Sequence, residues 1–265
     1  SLDQNPKTLT LKQPQKLHLA EYELIKPLGE GSFGRVYIVR HKTKGTFWAF
    51  KQLKKQEIIK SKQVDHLKNE VYILNSLEHP FIVKMAGMTQ DNRYIYIGME
   101  FVAGGELFTY LRRIVRFPKV QAMLYIATVV LMFEYLHSKN IIYRDLKPEN
   151  VLLDAEGHVQ LADFGLSKEN VSESTEGAKS FCGSVAYLAP EMVRKAGHGK
   201  SMDWYLLGVV IFEMVAGIPP YYADTKEELF SNIESGAFKL PSFCSQDLVD
   251  LMHRLLERDP ARRIA

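Results

Sequence analysis

Two stretches of this sequence, Lys119 to Lys139 and Met202 to Ala216, are apolar on nearly every helical face. A helix of that kind has to be surrounded, by lipid or by a large core. The most apolar part of the first stretch, Val120 to Leu136, is interrupted by Gln121 and Glu134 and is short for a membrane span. It is therefore expected to be a buried core helix. The chain has 265 residues, enough for one large domain or two modest ones built around such helices. Thr225 to Ser235 and Ser245 to Glu257 read as amphipathic helices.

The first part of the chain follows another period. Residues 1 to 20 are polar, carry Pro6 and Pro14, and read as a poorly ordered lead-in. From Tyr22, "YELIKPLGEG", "RVYIVRH" and "TFWAFKQL" alternate as strands joined by glycine-containing turns. Leu67, Val71, Leu74 and Leu77 then recur at helical spacing, and "RYIYIGMEF" returns to strand. "VAGGE", Val102 to Glu106, looks like a hinge. The expected architecture is α+β, with a β-rich region at 21–101 and a helical one at 102–265.

Composition excludes little but helps. The formal net charge is +3 and no long block of like charge occurs, so neither nucleic-acid nor membrane-surface binding is indicated. Cys182 and Cys244 are far apart, with neither a disulfide framework nor zinc-site spacing, which suits a reducing compartment. No signal peptide is visible. The chain begins with Ser1 rather than Met and is expected to be a piece of a longer one.

Several short motifs can carry chemistry. "GEGSFGRV" sets Gly29, Gly31 and Gly34 between two expected strands, where a backbone can bend tightly toward phosphate oxygens. A glycine-rich hairpin turn would look the same. A strand follows rather than a helix, which excludes a dinucleotide fold, and no Gly-Lys-Ser/Thr ending marks a Walker loop. Lys51 lies inside an apolar strand, and Glu70 on the next helix could pair with it and hold it toward a phosphate. Asp163, followed by Gly165, and Asn150 are hard oxygen ligands suited to magnesium. "IIYRDLKPENVLL" places Arg144, Asp145, Lys147, Glu149 and Asn150 between apolar ends, and so many charges between buried segments need partners.

The glycine loop, strand lysine, helix glutamate, "YRDLKPEN", "DFG" and "APE" occur in one order at suitable spacings. This series resembles the eukaryotic protein kinases over about Leu19 to Ile264. Tyr143 before Arg144-Asp145, "FCGSVAYLAPE" and "VAGGELFTYLRR" resemble the AGC group, and "KQEIIKSKQVDHLKNE" its cAMP-dependent kinases in particular. The resemblance implies a two-lobed fold and ATP-dependent phosphorylation of Ser/Thr in proteins, with Mg²⁺. Asp145 would accept the proton of the attacking hydroxyl, Lys147 would neutralise the moving phosphoryl, and Ser184 would bond this pair. Asn150 and Asp163 would hold the metal. Gly29, Gly31, Ser32, Phe33 and Gly34 would cover the phosphates, and Lys51, braced by Glu70, would bind them. The adenine would lie between Leu28, Val36 and Ala49 on one side and Leu152 on the other. Its edge would meet the backbone of Glu100 to Val102, with Met99 as gatekeeper.

The resemblance also implies regulation and specificity. Glu106, Glu149 and Glu213 match acids that read arginines two and three residues before the phosphorylated residue. Ser180 stands at the activation-loop phosphosite, with His66, Arg144 and Lys168 as its cationic pocket. A regulatory subunit or an upstream activating kinase, and a cytoplasmic or nuclear location, are implied partners and setting. Glu191 with Arg263 resembles a buried ion pair, and Asp203 an acid that braces the catalytic loop. The chain departs from the pattern in a longer segment between Asp163 and Ser180, and in Val185 and Ala186 after the cysteine. It also stops at Ala265, before the group's usual C-terminal tail. The competing reading is a pseudokinase or scaffold on the same fold. Loss of Lys51, Asp145, Asn150 or Asp163 would have favoured it, and all four are present.

Overall fold

The computed structural model describes residues 12–31, 33–162, 185–194 and 199–264, apart from the side chains of Asn69 and Glu70. The chain divides into two compact units, Ser1–Ala103 with Gln160–Glu169, and Gly104–Val159 with Asn170–Ala265. The division falls inside the Val102–Glu106 stretch.

The first unit is built on a five-stranded sheet. Its strands are β1 (Tyr22–Gly31), β2 (Gly34–His41), β3 (Phe47–Lys54), β4 (Met85–Gln90) and β5 (Tyr94–Glu100). Their order is β1-β2-β3-β5-β4, with every neighbouring pair antiparallel. Pro27 sits in the edge strand β1, where its missing N–H breaks no central ladder. After β3 come α1 (Lys55–Lys60) and α2 (Val64–Ser76). Leu67, Val71 and Leu74 are the buried stripe of α2.

One expectation is corrected here. Residues 12–20, expected to be disordered, are ordered: the Leu17 N–H donates to the Met88 carbonyl at 3.0 Å, and the Met88 N–H donates to Gln15 at 2.8 Å. Leu17 is buried with Val39 and Phe50. The reason is that β4 is an edge strand with unpaired backbone groups, and a neighbouring apolar side chain can seal it. Residues 1–11 lie outside the described part.

The second unit begins with β6 (Gly105–Glu106), α3 (Leu107–Ile114) and α4 (Lys119–Ser138), followed by β7 (Val151–Leu153); of β8 (Val159–Leu161) only Val159 belongs to it, and Gln160 and Leu161 belong to the first unit. The described helices after these are α5 (Pro190–Val193), α6 (Ser201–Ala216), α7 (Lys226–Ser235) and α8 (Gln246–Leu255). The centre is α6, buried from Met202 to Met214 except at Trp204. Gly208 lets α8 approach it: a Cβ there would stand 3.0 Å from that of Leu255. Thr225 and Ser245 cap α7 and α8 by accepting from the N–H groups of Glu228 and Leu248.

Helix α4 differs from its expected role as a helix buried all round. By length and composition alone it could cross a membrane. Its Tyr125, Val129, Met132, Phe133 and Leu136 face is buried, and α4 packs on α6. Val120, Met123, Leu124 and Leu131 on the other face are exposed. Composition reports how apolar a helix is, and only the fold decides how much of it is covered.

The unit is locked by a buried ion pair. Arg263 donates from Nη1 to Glu191 Oε1 at 2.7 Å and from Nη2 to Oε2 at 3.0 Å. It also donates to the carbonyls of Ser201 and Glu257, and its guanidinium stacks 4.8 Å above the Tyr205 ring. Both side chains are almost fully buried. Removing one partner strands a charge in the core, which costs far more than the pair itself contributes. Glu191→Ala is expected to lose about 3–5 kcal/mol in urea unfolding. The double change Glu191→Met with Arg263→Met should recover much of that loss. A Glu191→Ala protein within about 1 kcal/mol of wild type would contradict the account.

Candidate active site

In the first unit the sheet register gathers the expected nucleotide-binding side chains. Directly paired residues point to the same face of a sheet. Val36 pairs with Lys51 and Lys51 with Ile97, while Ile38 pairs with Ala49 and Ala49 with Met99. Steps of two keep the face. Val36, Ala49, Lys51 and Met99 therefore share one face, and Glu100 ends the same strand as Met99. Val102 beyond it is buried. Leu28 lies in β1 and is 47% exposed, an apolar side chain with surface to offer.

The three glycines serve different ends. A Cβ on Gly34 would stand 1.8 Å from the Gln52 carbonyl oxygen, so that glycine is needed where β2 starts its pairing with β3. Among the described residues, and leaving out its chain neighbours, nothing comes within 4 Å of such a Cβ on Gly29, and at Gly31 the nearest atom is 4.0 Å away. Packing against the described residues does not require glycine at those two positions. Phe33 beside them is half-buried, and its carbonyl accepts from the Lys54 N–H at 2.8 Å. Ser32 lies outside the described residues.

In the second unit a compact charged loop precedes β7. Lys147 Nζ donates to Asp145 Oδ2 at 2.8 Å. Asn150 Nδ2 donates to the same oxygen and to the Asp145 carbonyl, both at 2.8 Å. The amide nitrogen of Asn150 is thus committed to Asp145, and its carbonyl oxygen is the ligand it can offer a cation. Lys147 and Asn150 are buried, while Asp145 keeps partial exposure.

The backbone under this loop is held by Asp203 of α6, whose side chain is fully buried. Its Oδ2 accepts from the Tyr143 N–H at 2.9 Å and contacts His137 Nε2 at 2.7 Å. Its Oδ1 accepts from the Arg144 N–H at 2.8 Å. Arg144 takes a φ of +70°, a conformation that side-chain-bearing residues rarely adopt. Its side chain is exposed. His137 also stacks on Phe133 and meets Trp204 edge-on.

The three expected specificity acids lie in this unit. Glu106 is placed by β6, pairing with Leu152 of β7, and by the Phe108 N–H donating to the Pro148 carbonyl at 3.1 Å. Desolvation raises the Glu106 carboxyl, Glu149 raises it further, and Lys147 opposes both. Glu213 is buried in α6 and accepts a short hydrogen bond from the Tyr187 hydroxyl. Burial pushes its carboxyl up to about 7; Glu149 adds to this, while Tyr187 and Arg112 work against it. Burial likewise raises the Tyr187 phenol far above its ordinary range.

His66 is an exposed residue of α2 whose Nδ1 contacts Gln63 Oε1 at 2.8 Å. Leu152 is half-buried in β7. Asp163, Lys168, Ser180, Ser184 and the Glu70 side chain lie outside the described residues. The sequence reading missed His137, Tyr187 and Arg112. The only sequence signals were a histidine near the end of an apolar helix and an aromatic residue just before "LAPE".

Comparison with known proteins finds a family match and relatives along nearly the whole chain. The family model described as Protein kinase domain matches residues 22–265. Protein kinase 3 of Dictyostelium discoideum is 44% identical over 97% of this chain, which is 30% of that protein. The cAMP-dependent protein kinase type 3 of Saccharomyces cerevisiae is 44% identical over 94% of this chain and 62% of its own length. The Mus musculus cAMP-dependent protein kinase catalytic subunit PRKX is 42% identical over 98% of this chain and 72% of its own length. The chain thus spans less than two thirds of the first two relatives.

The raised Glu213 carboxyl has a measurable consequence. Its ordinary value is 4.5 and its folded value about 7, so between these the native state holds a proton that the unfolded state releases. Stability from this group is full below pH 4.5 and is lost as pH rises toward 7. Glu213→Gln removes that loss. Thermal unfolding from pH 4.5 to 8 is expected to show wild type falling progressively relative to the variant. Parallel curves for the two proteins would show that Glu213 is ionised at ordinary pH in the folded state.

Proposed function

The chain belongs to the protein kinase domain family, and on that premise we propose that it transfers the γ-phosphoryl group of ATP to serine and threonine hydroxyls of proteins. The observation that carries this reading is the Asp145 carboxylate, oriented through one oxygen by both Lys147 and Asn150. A carboxylate held in this way can accept the proton of an attacking hydroxyl and aim it. Lys147 beside it neutralises charge gathering on the transferred group. Lys51, on the sheet face shared with Val36, Ala49 and Met99, binds the α- and β-phosphates with Glu70 bracing it. Gly29 and Gly31, whose surroundings are open, let backbone approach the phosphates.

A magnesium ion fits the donor set, because the Asn150 amide nitrogen is already committed and leaves an oxygen of the kind that metal prefers. Asn150 and Asp163 are the residues that would hold it, and it supplies charge neutralisation for the phosphates. Ser184 would complete the catalytic group by bonding the Asp145–Lys147 pair.

The substrates are proteins with arginine two and three residues before the acceptor, read by Glu106, Glu149 and Glu213. Burial is the main cause of the raised carboxyls of Glu106 and Glu213 and Glu149 adds to each, so an arriving guanidinium would draw both toward their charged form. Tyr187 holds Glu213 in place. In the same reading Ser180 would be the activating phosphosite, modified by an upstream kinase or by the enzyme itself, and His66, Arg144 and Lys168 are the cations that the family resemblance implies for its phosphate. A regulatory subunit and a cytoplasmic or nuclear location belong to the same reading.

The test is a positional peptide library with labelled ATP, run on wild type, Asp145→Asn and Lys51→Met. Wild type is expected to select arginine at both upstream positions. Each variant is expected to fold normally and lose about 10²–10⁴ in turnover. Near-normal turnover in a folded Asp145→Asn protein would defeat the catalytic assignment, and a library flat at the upstream positions would defeat the substrate assignment.

A further inference from the structure

The residues ahead of the family-matched region form a bridge within the first unit. At one end, the Lys12 N–H donates to Ser76 Oγ at 2.7 Å, and Asn75 Nδ2 donates to the Lys12 carbonyl at 3.1 Å. Lys12 Nζ also reaches Glu78 Oε1 at 2.6 Å. At the other end, Gln15 and Leu17 exchange backbone hydrogen bonds with Met88 on the outer edge of β4, and Lys16 forms a parallel bridge there. Asn75 and Ser76 are the last two residues of α2. The segment therefore ties the end of that helix to the strand on which α2 itself packs.

The rest of the unit is shaped to receive it. A Cβ on Gly87, which has a φ of +151°, would stand 2.2 Å from the Gln15 carbonyl oxygen. A Cβ on Gly98 would stand 2.7 Å from a Leu17 methyl. Gly98 pairs with Phe50, so Leu17 fills a gap on the sheet face opposite Lys51. Two glycines and a matching side chain are more than the sealing of an edge strand requires. The N-cap residue of helix α2, Gln63, makes no side-chain capping bond, and at the other end the Leu77 backbone N–H donates to the Leu74 carbonyl. Its last turn is also fastened through Ser76, whose hydroxyl donates to the Tyr72 carbonyl and accepts from the Lys12 N–H.

We propose that residues 12–17 are a positioning strap for α2, which sets the helix carrying Glu70 at the height that lets Lys51 hold the phosphates of ATP. The inference rests on the kinase reading above. Residues of the strap touch neither nucleotide nor substrate. They act by raising the fraction of molecules in which α2 is seated, and apparent nucleotide affinity scales with that fraction. Peptide binding, which uses acids of the second unit, is not expected to respond.

The experiment uses the full chain with Lys12→Pro, which removes the donor to Ser76, with Ser76→Ala, and with both. It measures Mg-ATP affinity by titration, KM for ATP and for an arginine-containing peptide, and amide hydrogen exchange at residues 72–76. Each single variant is expected to weaken Mg-ATP binding about 3–10-fold, raise the ATP KM in step, and leave the peptide KM within about twofold. Exchange at 72–76 should accelerate. The double variant should fall short of the sum of the two losses, because both changes break the Lys12–Ser76 contact while each also removes one of its own, Lys12–Glu78 or Ser76–Tyr72. Faster exchange with unchanged Mg-ATP affinity would make the segment a structural cover only and overturn the proposal. So would unchanged exchange, or a matching rise in the peptide KM. If Lys12→Pro does not fold, Ser76→Ala alone decides between these outcomes. A wild-type protein that binds Mg-ATP but phosphorylates nothing would defeat the kinase reading, while the titration and exchange would still judge the strap.

Discussion

A single buried carboxylate underlies the geometry of the second unit. Asp203 has no exposure to water, so its charge has to be met by the protein, and three nitrogen donors meet it. Two of them are consecutive backbone N–H groups of Tyr143 and Arg144. Satisfying both with one side chain bends the chain into the left-handed conformation at Arg144, which costs on the order of 1–3 kcal/mol. The cost is tolerable because an unmet buried charge would cost more. The result is that Asp145, the next residue, takes its direction from a core helix and not from a surface loop.

Helix α6 does this twice. Asp203 is in its first turn and Glu213 is ten residues further, about 15 Å along the axis. One end of the most buried helix fixes the loop bearing Asp145, Lys147 and Asn150. The other end holds an acid facing Tyr187 and electrostatically coupled to Glu149 of that same loop. A rigid element thereby carries both the proposed chemistry and the proposed recognition. In the first unit the sheet register plays the equivalent part, placing Lys51 on the face of Val36, Ala49 and Met99.

Much of this was legible before any coordinates. Strands β1, β2, β3 and β5 show clear alternation, and the charged run from Arg144 to Asn150 stands out between apolar ends. What escaped did so for identifiable reasons. Strand β4, "MAGMTQ", has two small residues and no alternation to see. The segment 12–17 is polar and contains Pro14, and only Leu17 hints that it packs. The exposed face of α4 cannot be told from its buried face when both are apolar. His137 and Tyr187 matter through partners 66 and 26 residues away, a distance that periodicity does not reach. Gly34 was read with Gly29 and Gly31 as one phosphate-facing motif, yet its closest neighbour is the Gln52 backbone.

The central claim is that Asp203 orients Asp145 through the backbone, and Asp203→Asn tests it directly. Asparagine keeps the volume but presents an N–H₂ group to donors that need an acceptor, so one of the two backbone bonds is lost. In steady-state phosphorylation of an arginine-containing peptide, the account predicts a kcat lower by about 10²-fold or more, with both KM values within about threefold of wild type and the fold retained. A folded Asp203→Asn protein with kcat within about twofold of wild type would show that the loop holds Asp145 without this carboxylate.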